Sequence, residues 1–464
     1  MVNRVWTLVG VAVLALALSA CGGKEGAKEG GGAGNEARPT AAAGPVSIDF
    51  WHSEQAASQA AFQALIDRFN ASQDEVKVRL LFQGGPPELT VKLVNSLRSG
   101  DVSALVEVSE GDSQIMVDSR QVTPVQEFID AEGYDLSDFD KKAVDYYTWD
   151  DKLYAMPLGI TVPMLFYNKI PFREVGLDPE KPPQTLDDVR ACSEKLLKVD
   201  SAGNVVRSGI ALDMQGWYMD VILAEHGDLY VNNNNGRDGR ATEAVFNGPA
   251  GQAFFRWWDE MIESGLAFNA GRNAAGADNF MALVAGRAVM TVSVSSALRS
   301  LISVLEAGLQ GVELGVGPFP GVAGGSGKPG FFGRALWIMS DRPEAEQQAA
   351  WKLARWLAEP EQQAELFAGT GYLPVRLSAY DLEASRQVQE KYREYQVPVD
   401  LFVGVPSTPA KLGPRIGPSD AVREIVAQVL EQMVVGGKDP DQALDDAAQR
   451  VTKEIQDYNQ RVGE

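Results

Sequence analysis

Histidine and cysteine are nearly absent from this chain: two of each occur in 464 residues. His52 and His226 stand far from each other and from Cys21 and Cys192, so no cluster with zinc-ligand spacing exists in the sequence. Two scattered histidines and no G-x-S-x-G elbow leave no basis for assembling a serine triad. The glycines at 321–330 lack a following GK[ST] and precede a strand pattern instead of a helix N-terminus, so a phosphate-loop reading fails. Basic residues are the minority, 42 Lys and Arg against 63 Asp and Glu. A formal charge of -21 and a pI near 4.6 argue against a nucleic-acid face, although one well-placed arginine can still hold an anionic ligand. The acidic tract DLSDFDKKAVD (135–145) has neither the central glycine nor the closing glutamate of a calcium loop and reads as a helix start. Paired carboxylates are everywhere in so acidic a chain, but none shows a spacing specific to glycoside hydrolysis.

Long apolar runs are also missing. The one at the start, LVGVAVLALAL (8–18), is too short to span a bilayer, follows Arg4, and runs into Leu18-Ser19-Ala20-Cys21. That pattern resembles a bacterial lipobox, which implies export and lipidation of Cys21. Residues 22–44 (GGKEGAKEGGGAGNEARPTAAAG) carry nothing that builds a core and read as a flexible leash. With Cys21 lipidated, Cys192 is the remaining thiol and no intrachain disulfide is possible; on its helical pattern it reads as a small buried apolar residue.

The 45% hydrophobic content of the whole chain and the length beyond Pro45 predict two lobes. PVSIDFW (45–51), VKVRLLF (76–82) and ALVEVSE (104–110) read as strands, separated by the helical patterns 54–70 and 88–101. This alternation describes a doubly wound α/β lobe whose ligand crevice lies beyond the strand carboxyl ends, near His52, Ser53, Gln83, Gly84 and Glu110. LYAMPLGITVPMLFYNK (153–169) reads as an extended crossing between lobes, and Thr185 as the cap of the helix after it. Phe254, Phe255, Trp257 and Trp258 on the 245–266 pattern read as core. Residues 279–298 run helix, turn, strand and Ser-rich loop, and 399–418 reads as extended. In GTGYLPVR (369–376) two glycines and a proline force a turn that presents Tyr372.

FWHS (50–53), RFN (68–70), VPMLFYNK (162–169), GLDPEKPP (176–183), QGW (215–217), AVMT (288–291), ALW (335–337) and TGYLPVR (370–376) fall in one order along the chain. Together they resemble the extracellular solute-binding proteins of ABC importers, carbohydrate group, and GLDPEKPP, TGYLPVR and PRIGPSDAVR (414–423) resemble its glycerol-3-phosphate-binding branch. The resemblance covers residues 46–462 and implies a periplasmic-binding-protein fold of type II, two α/β lobes interleaved in sequence and joined by a hinge. Expected boundaries are 45–157 plus 288–338 for the first lobe, and 158–287 plus 339–464 for the second. The implied protein is a monomeric binder without cofactor or catalysis, which hands a polyol, sugar or phosphorylated glycerol to membrane permease subunits.

The resemblance further implies ligand-binding roles for Glu110 toward glycerol hydroxyls, Thr161 at a serine position, Gly333 through its backbone amide, Tyr372 and Arg423. Further candidates are Trp51, His52, Met214, Trp217, Ser293, Ser295 and Arg334, with Trp337 as a wall or as core. One lobe is expected to supply the acidic grip, the other the tyrosine and the arginine. Taken singly, Glu110 also fits a helix cap, Thr161 a β-branched strand residue, and Arg423 a surface pair with Asp420 or Glu424. The chain departs from the branch at Pro86, Met214 and Val294, where the branch has tyrosine, tryptophan and serine, and at Arg334, where the branch has alanine. Losing two aromatic walls widens the expected pocket, which makes a glycerophosphodiester or another sugar or sugar phosphate credible. The rivals are a neutral-oligosaccharide binder of the same fold and a secreted hydrolase.

Overall fold

In the computed structural model, residues 44–272, 277–308 and 311–463 are described. The apolar leader, Cys21 and the leash up to residue 43 lie outside the described residues. Val46–His52 pairs in parallel with Val76–Phe82 and Leu105–Ser109, as the strand and helix alternation predicts. The first sheet continues through Phe332–Met339, which runs antiparallel to Leu105–Ser109 and to Met156–Thr161. The helix Ala56–Ser72 buries Phe62, Leu65, Ile66 and Phe69, a 3.6-residue stripe, against Ile48 and Phe50 of the first strand. Each such side chain contributes roughly 1.5–3 kcal/mol when fully buried.

The second sheet has the order Ala267–Asn269, Val205–Leu212, Ala288–Val294, Pro163–Asn168, Leu314–Pro318. Its cover is the helix Pro249–Glu263, where Phe254, Phe255, Trp257 and Trp258 are buried and the Trp257 indole donates to the Leu186 carbonyl at 2.8 Å. Thr185 caps Leu186–Leu196 in a full capping box with Asp188. Cys192 is half-buried, not fully enclosed.

The crossing is sharp: Thr161 ends a strand of the first sheet and Pro163 begins one of the second. A second crossing passes through Ser295 and Ser296. The two are tied by a 3.0 Å hydrogen bond between the Thr161 and Ser295 hydroxyls, by Ser295 N–H to the Val162 carbonyl at 2.8 Å, and by Ser296 N–H to Thr161 Oγ1 at 3.1 Å.

The expected lobe boundaries need correcting. Ala288–Val294 hydrogen-bonds into the second sheet, with Met290 opposite Tyr167, instead of the first. Residues 158–161 stay in the first sheet, and the helices Glu344–Leu357 and Pro360–Thr370 pack into the first core. Ile416 and the C-terminal pair Ser419–Val434 and Pro440–Val462 join the second. Met156–Thr161 and most of Ala288–Val294 are buried on both faces, so their pattern carries no mark of which sheet they complete. Part of the stretch expected to be extended is the helix Gln396–Val403.

Candidate functional site

Leu105–Ser109 ends in a single tight turn, Glu110–Asp112, at the carboxyl edge of the first sheet. Glu110 does not cap that turn with its side chain. Its Oε1 accepts from Arg423 Nη2 at 3.0 Å and its Oε2 from the Gly333 amide at 3.3 Å. Arg423 comes from the second lobe, on Ser419–Val434, whose buried face includes Val422 and Val426. Asp220 takes Nε at 2.9 Å and shares Nη2 at 2.8 Å, and the guanidinium lies 5.4 Å from the Phe332 ring centroid. The surface pair with Glu424 does not form; that carboxylate pairs with Arg272. Gly111 permits the approach, because a Cβ there would stand 2.7 Å from Ser419 Oγ and 3.2 Å from Arg423 Nη1.

Tyr372 lies on the turn after Pro360–Thr370, where Gly371 closes the helix at φ +93. A side chain at Gly371 would meet the Ser295 carbonyl at 2.4 Å, so the turn is pressed against the second crossing. Leu373 bridges to Ile160, and the Tyr372 ring lies over Gly159. Tyr372 therefore belongs to the same lobe as Glu110, not, as expected, to that of Arg423. Its hydroxyl donates to Glu54 Oε1 at 2.9 Å and accepts from Arg334 Nε at 3.2 Å. Arg334 also reaches Ser53 Oγ at 3.1 Å and Glu107 at 2.9 Å.

Burial governs the titration of this region. Glu54 is pushed up to about 7 by desolvation, against the pull of Arg334. Asp112 is also pushed up to about 7, by burial and then by the charge of Asp420. Burial raises Asp220 too, in opposition to Arg423. Around two arginines the site thus gathers Glu54, Glu107, Glu110, Asp112, Asp220 and Asp420. Of these carboxylates, the sequence pointed to Glu110 as a ligand contact and to Asp420 as a pairing partner of Arg423. A signal existed: Glu107 and Asp220 are lone charges inside apolar runs (LVEVS, WYMDVIL), and a charge buried in such a run requires a partner.

The remaining candidates scatter. Met214 and half-buried Trp217 line a cleft of about 720 Å³ with Thr90 and Val94 from the first lobe and Asp420 and Arg423 from the second. Trp51 instead lies beneath the Lys92 ammonium, 4.6 Å from its ring centroid, and lines a separate cavity of about 450 Å³ with Asp49 and Arg79. His52 is buried against Phe62, its Nδ1 accepts the Glu54 amide, and burial lowers its pKa. Thr161 and Ser295 hold the two crossings together, and Ser293 sits half-buried on Ala288–Val294. Trp337 is fully buried core. Among the described residues, no group of three or more His, Cys, Asp or Glu is arranged to hold a metal.

A profile described as bacterial extracellular solute-binding protein matches residues 64–393. The chain belongs to that family. Within it, the sn-glycerol-3-phosphate-binding periplasmic protein UgpB of Pectobacterium atrosepticum is 30% identical over 412 residues, 87% of this chain and 90% of that protein. The protein of the same name from Escherichia coli K12 is 29% identical over 414 residues, 87% and 91% respectively. UgpB from Mycobacterium tuberculosis, solved in complex with glycerophosphocholine, shares the fold with a TM-score of 0.74 at 21% identity, covering 90% of this chain and 99% of that one. The GacH receptor of Streptomyces glaucescens does so with 0.72 at 18%, covering 89% and 99%. Both match across the two lobes, so this solute-binding protein has the expected two-lobed fold. Among the described residues, no helix is long and apolar enough to cross a membrane.

Proposed function

We propose that this solute-binding protein captures glycerol-3-phosphate or a glycerophosphodiester between its lobes and delivers it to the permease of an ABC importer, tethered to the membrane by lipid on Cys21. The observation that carries the reading is the convergence of Arg423 from one lobe and the Gly333 amide from the other on a single carboxylate, that of Glu110. A guanidinium edge and a main-chain N–H aimed at one point form a seat for a phosphoryl oxygen. Glu110 adds acceptor oxygens for glycerol hydroxyls, while the buried Tyr372 is held by Glu54 and Arg334. The relatives named for glycerol-3-phosphate binding support the same ligand class. The cleft of about 720 Å³, with Met214 on its wall, has room for a substituent beyond the phosphate. Since such a ligand touches both lobes only when they meet, it favours the closed arrangement.

Titration calorimetry with glycerol-3-phosphate, glycerophosphocholine and maltose tests this. Binding of a phosphate ester is expected, with Arg423→Ala reducing it by about 100-fold, the cost of leaving buried charges unpaired. Unaltered affinity in Arg423→Ala contradicts a phosphate held there. One observation favours a second reading, a neutral oligosaccharide: the six carboxylates around the two arginines accept hydroxyl hydrogens well and repel anions. Binding of maltose and not of the esters would select it.

A further inference from the structure

Arg423 is already engaged along its Nε–Nη2 edge. Asp220, from its own lobe, takes Nε and Nη2, and Glu110, from the opposite lobe, takes Nη2 as well. The second oxygen of Glu110 is on the Gly333 amide, and Tyr146 pins the Glu110 backbone carbonyl with a 3.0 Å hydrogen bond. Retreat of the guanidinium is limited, because Arg423 and Ser419 already press against the Gly111 backbone. An anion that takes Arg423 Nη2 and the Gly333 amide together must therefore displace a carboxylate from both. Glu110 is the one to move: Asp220 shares a lobe with Arg423, whereas the Glu110 contact spans the gap.

We infer that Glu110 acts as an internal anion that excludes free inorganic phosphate and reserves the Arg423 and Gly333 donors for phosphate esters carrying hydroxyl groups. The inference rests on the phosphate reading given above and adds a basis for its selectivity. A displaced carboxylate beside a bound phosphate has lost a guanidinium and an amide and faces a like charge. A glycerol moiety supplies hydroxyl donors that re-pair it. Inorganic phosphate as its dianion has a single proton to offer and leaves the displaced oxygens short of partners. The same side chain thus opposes the phosphate alone and welcomes the ester, so discrimination arises without any wall that blocks the smaller ion.

The test is calorimetry at constant ionic strength with inorganic phosphate and with glycerol-3-phosphate, on wild type and Glu110→Gln. Wild type is expected to bind the ester in preference to inorganic phosphate. Glu110→Gln removes the competing charge and is expected to gain about tenfold in inorganic phosphate affinity while losing affinity for the ester. Loss of ester binding with no gain for inorganic phosphate overturns the inference, since Glu110 would then be a hydroxyl contact only; so does a wild type that takes both ligands equally. Either result leaves the phosphate reading standing. A wild type that binds neither removes that reading and this inference with it. Should Glu110→Gln lose its cooperative melting transition, Glu110→Asp, which keeps the charge but shortens its reach, carries the same test with a smaller gain expected.

Discussion

Asp118 joins the two lobes beyond the Arg423–Gly333 seat, with its partner Tyr458 on the wall of the cleft, and its removal has a calculable consequence. It lies on Ser113–Ser119 of the first lobe and accepts both Arg240 guanidinium nitrogens, at 3.0 and 2.7 Å, together with the Tyr458 hydroxyl at 2.9 Å. Arg240 and Tyr458 belong to segments packed on the second core. The Asp118 side chain is 8% exposed and that of Arg240 21%, so the pair is partly sheltered from water. A hydrogen bond to a charged group contributes about 1.5–3 kcal/mol. Asp118→Asn keeps the shape and one acceptor but loses the charge, so about 2 kcal/mol is a fair loss for the closed form. The open form, in which the lobes do not meet, loses nothing. That difference multiplies the open-to-closed ratio by about 30. If ligand binds only the closed form, the apparent Kd scales with one plus that ratio. The affinity of Asp118→Asn should then fall by up to about 30-fold when open molecules predominate without ligand, and by less when closed ones do. Calorimetry gives Kd, and small-angle scattering of the ligand-free protein gives the starting ratio through its radius of gyration. Wild-type affinity in a mutant whose ligand-free scattering is that of an open protein refutes the latch.

Two other perturbations separate the site's parts. Gly371→Ala forces a side chain into a left-handed φ and against the Ser295 carbonyl, so a loss of about 1–3 kcal/mol is expected in chemical denaturation, and equal stability would show that the turn relaxes freely. Glu54 has a folded pKa raised to about 7 by burial, so its favourable contribution is complete below the unfolded value near 4.5 and is lost as pH rises through about 7. Glu54→Gln should therefore flatten the fall in melting temperature between pH 5 and 8, and an unchanged slope would assign that fall to other groups such as Asp112.

The alternation of strands and helices over 46–109 was readable because each element repeats its apolar residues with its own period, and the tyrosine turn because Gly371 and Pro374 restrict the backbone locally. Pairing across the chain was not readable: Ala288–Val294 is buried on both faces through Val292, so its alternation does not reveal its sheet, and its place is decided by register with Pro163–Asn168, more than 100 residues away. The same limit hid the lobe of Tyr372, which follows from one bridge between Leu373 and Ile160. It also hid the company of Arg423. Motif resemblance names the arginine, but only the packed lobes bring Glu110 and Asp220 onto it. That distinction bears on function. An arginine read alone argues for a strong anion site, whereas an arginine paired at Nε and Nη2 with two carboxylates yields Nη2 to an anion only by exchange. Exchange makes affinity depend on what the ligand returns to the displaced group, so the hydroxyls of the ligand, as much as its phosphate, set which solute this protein retains.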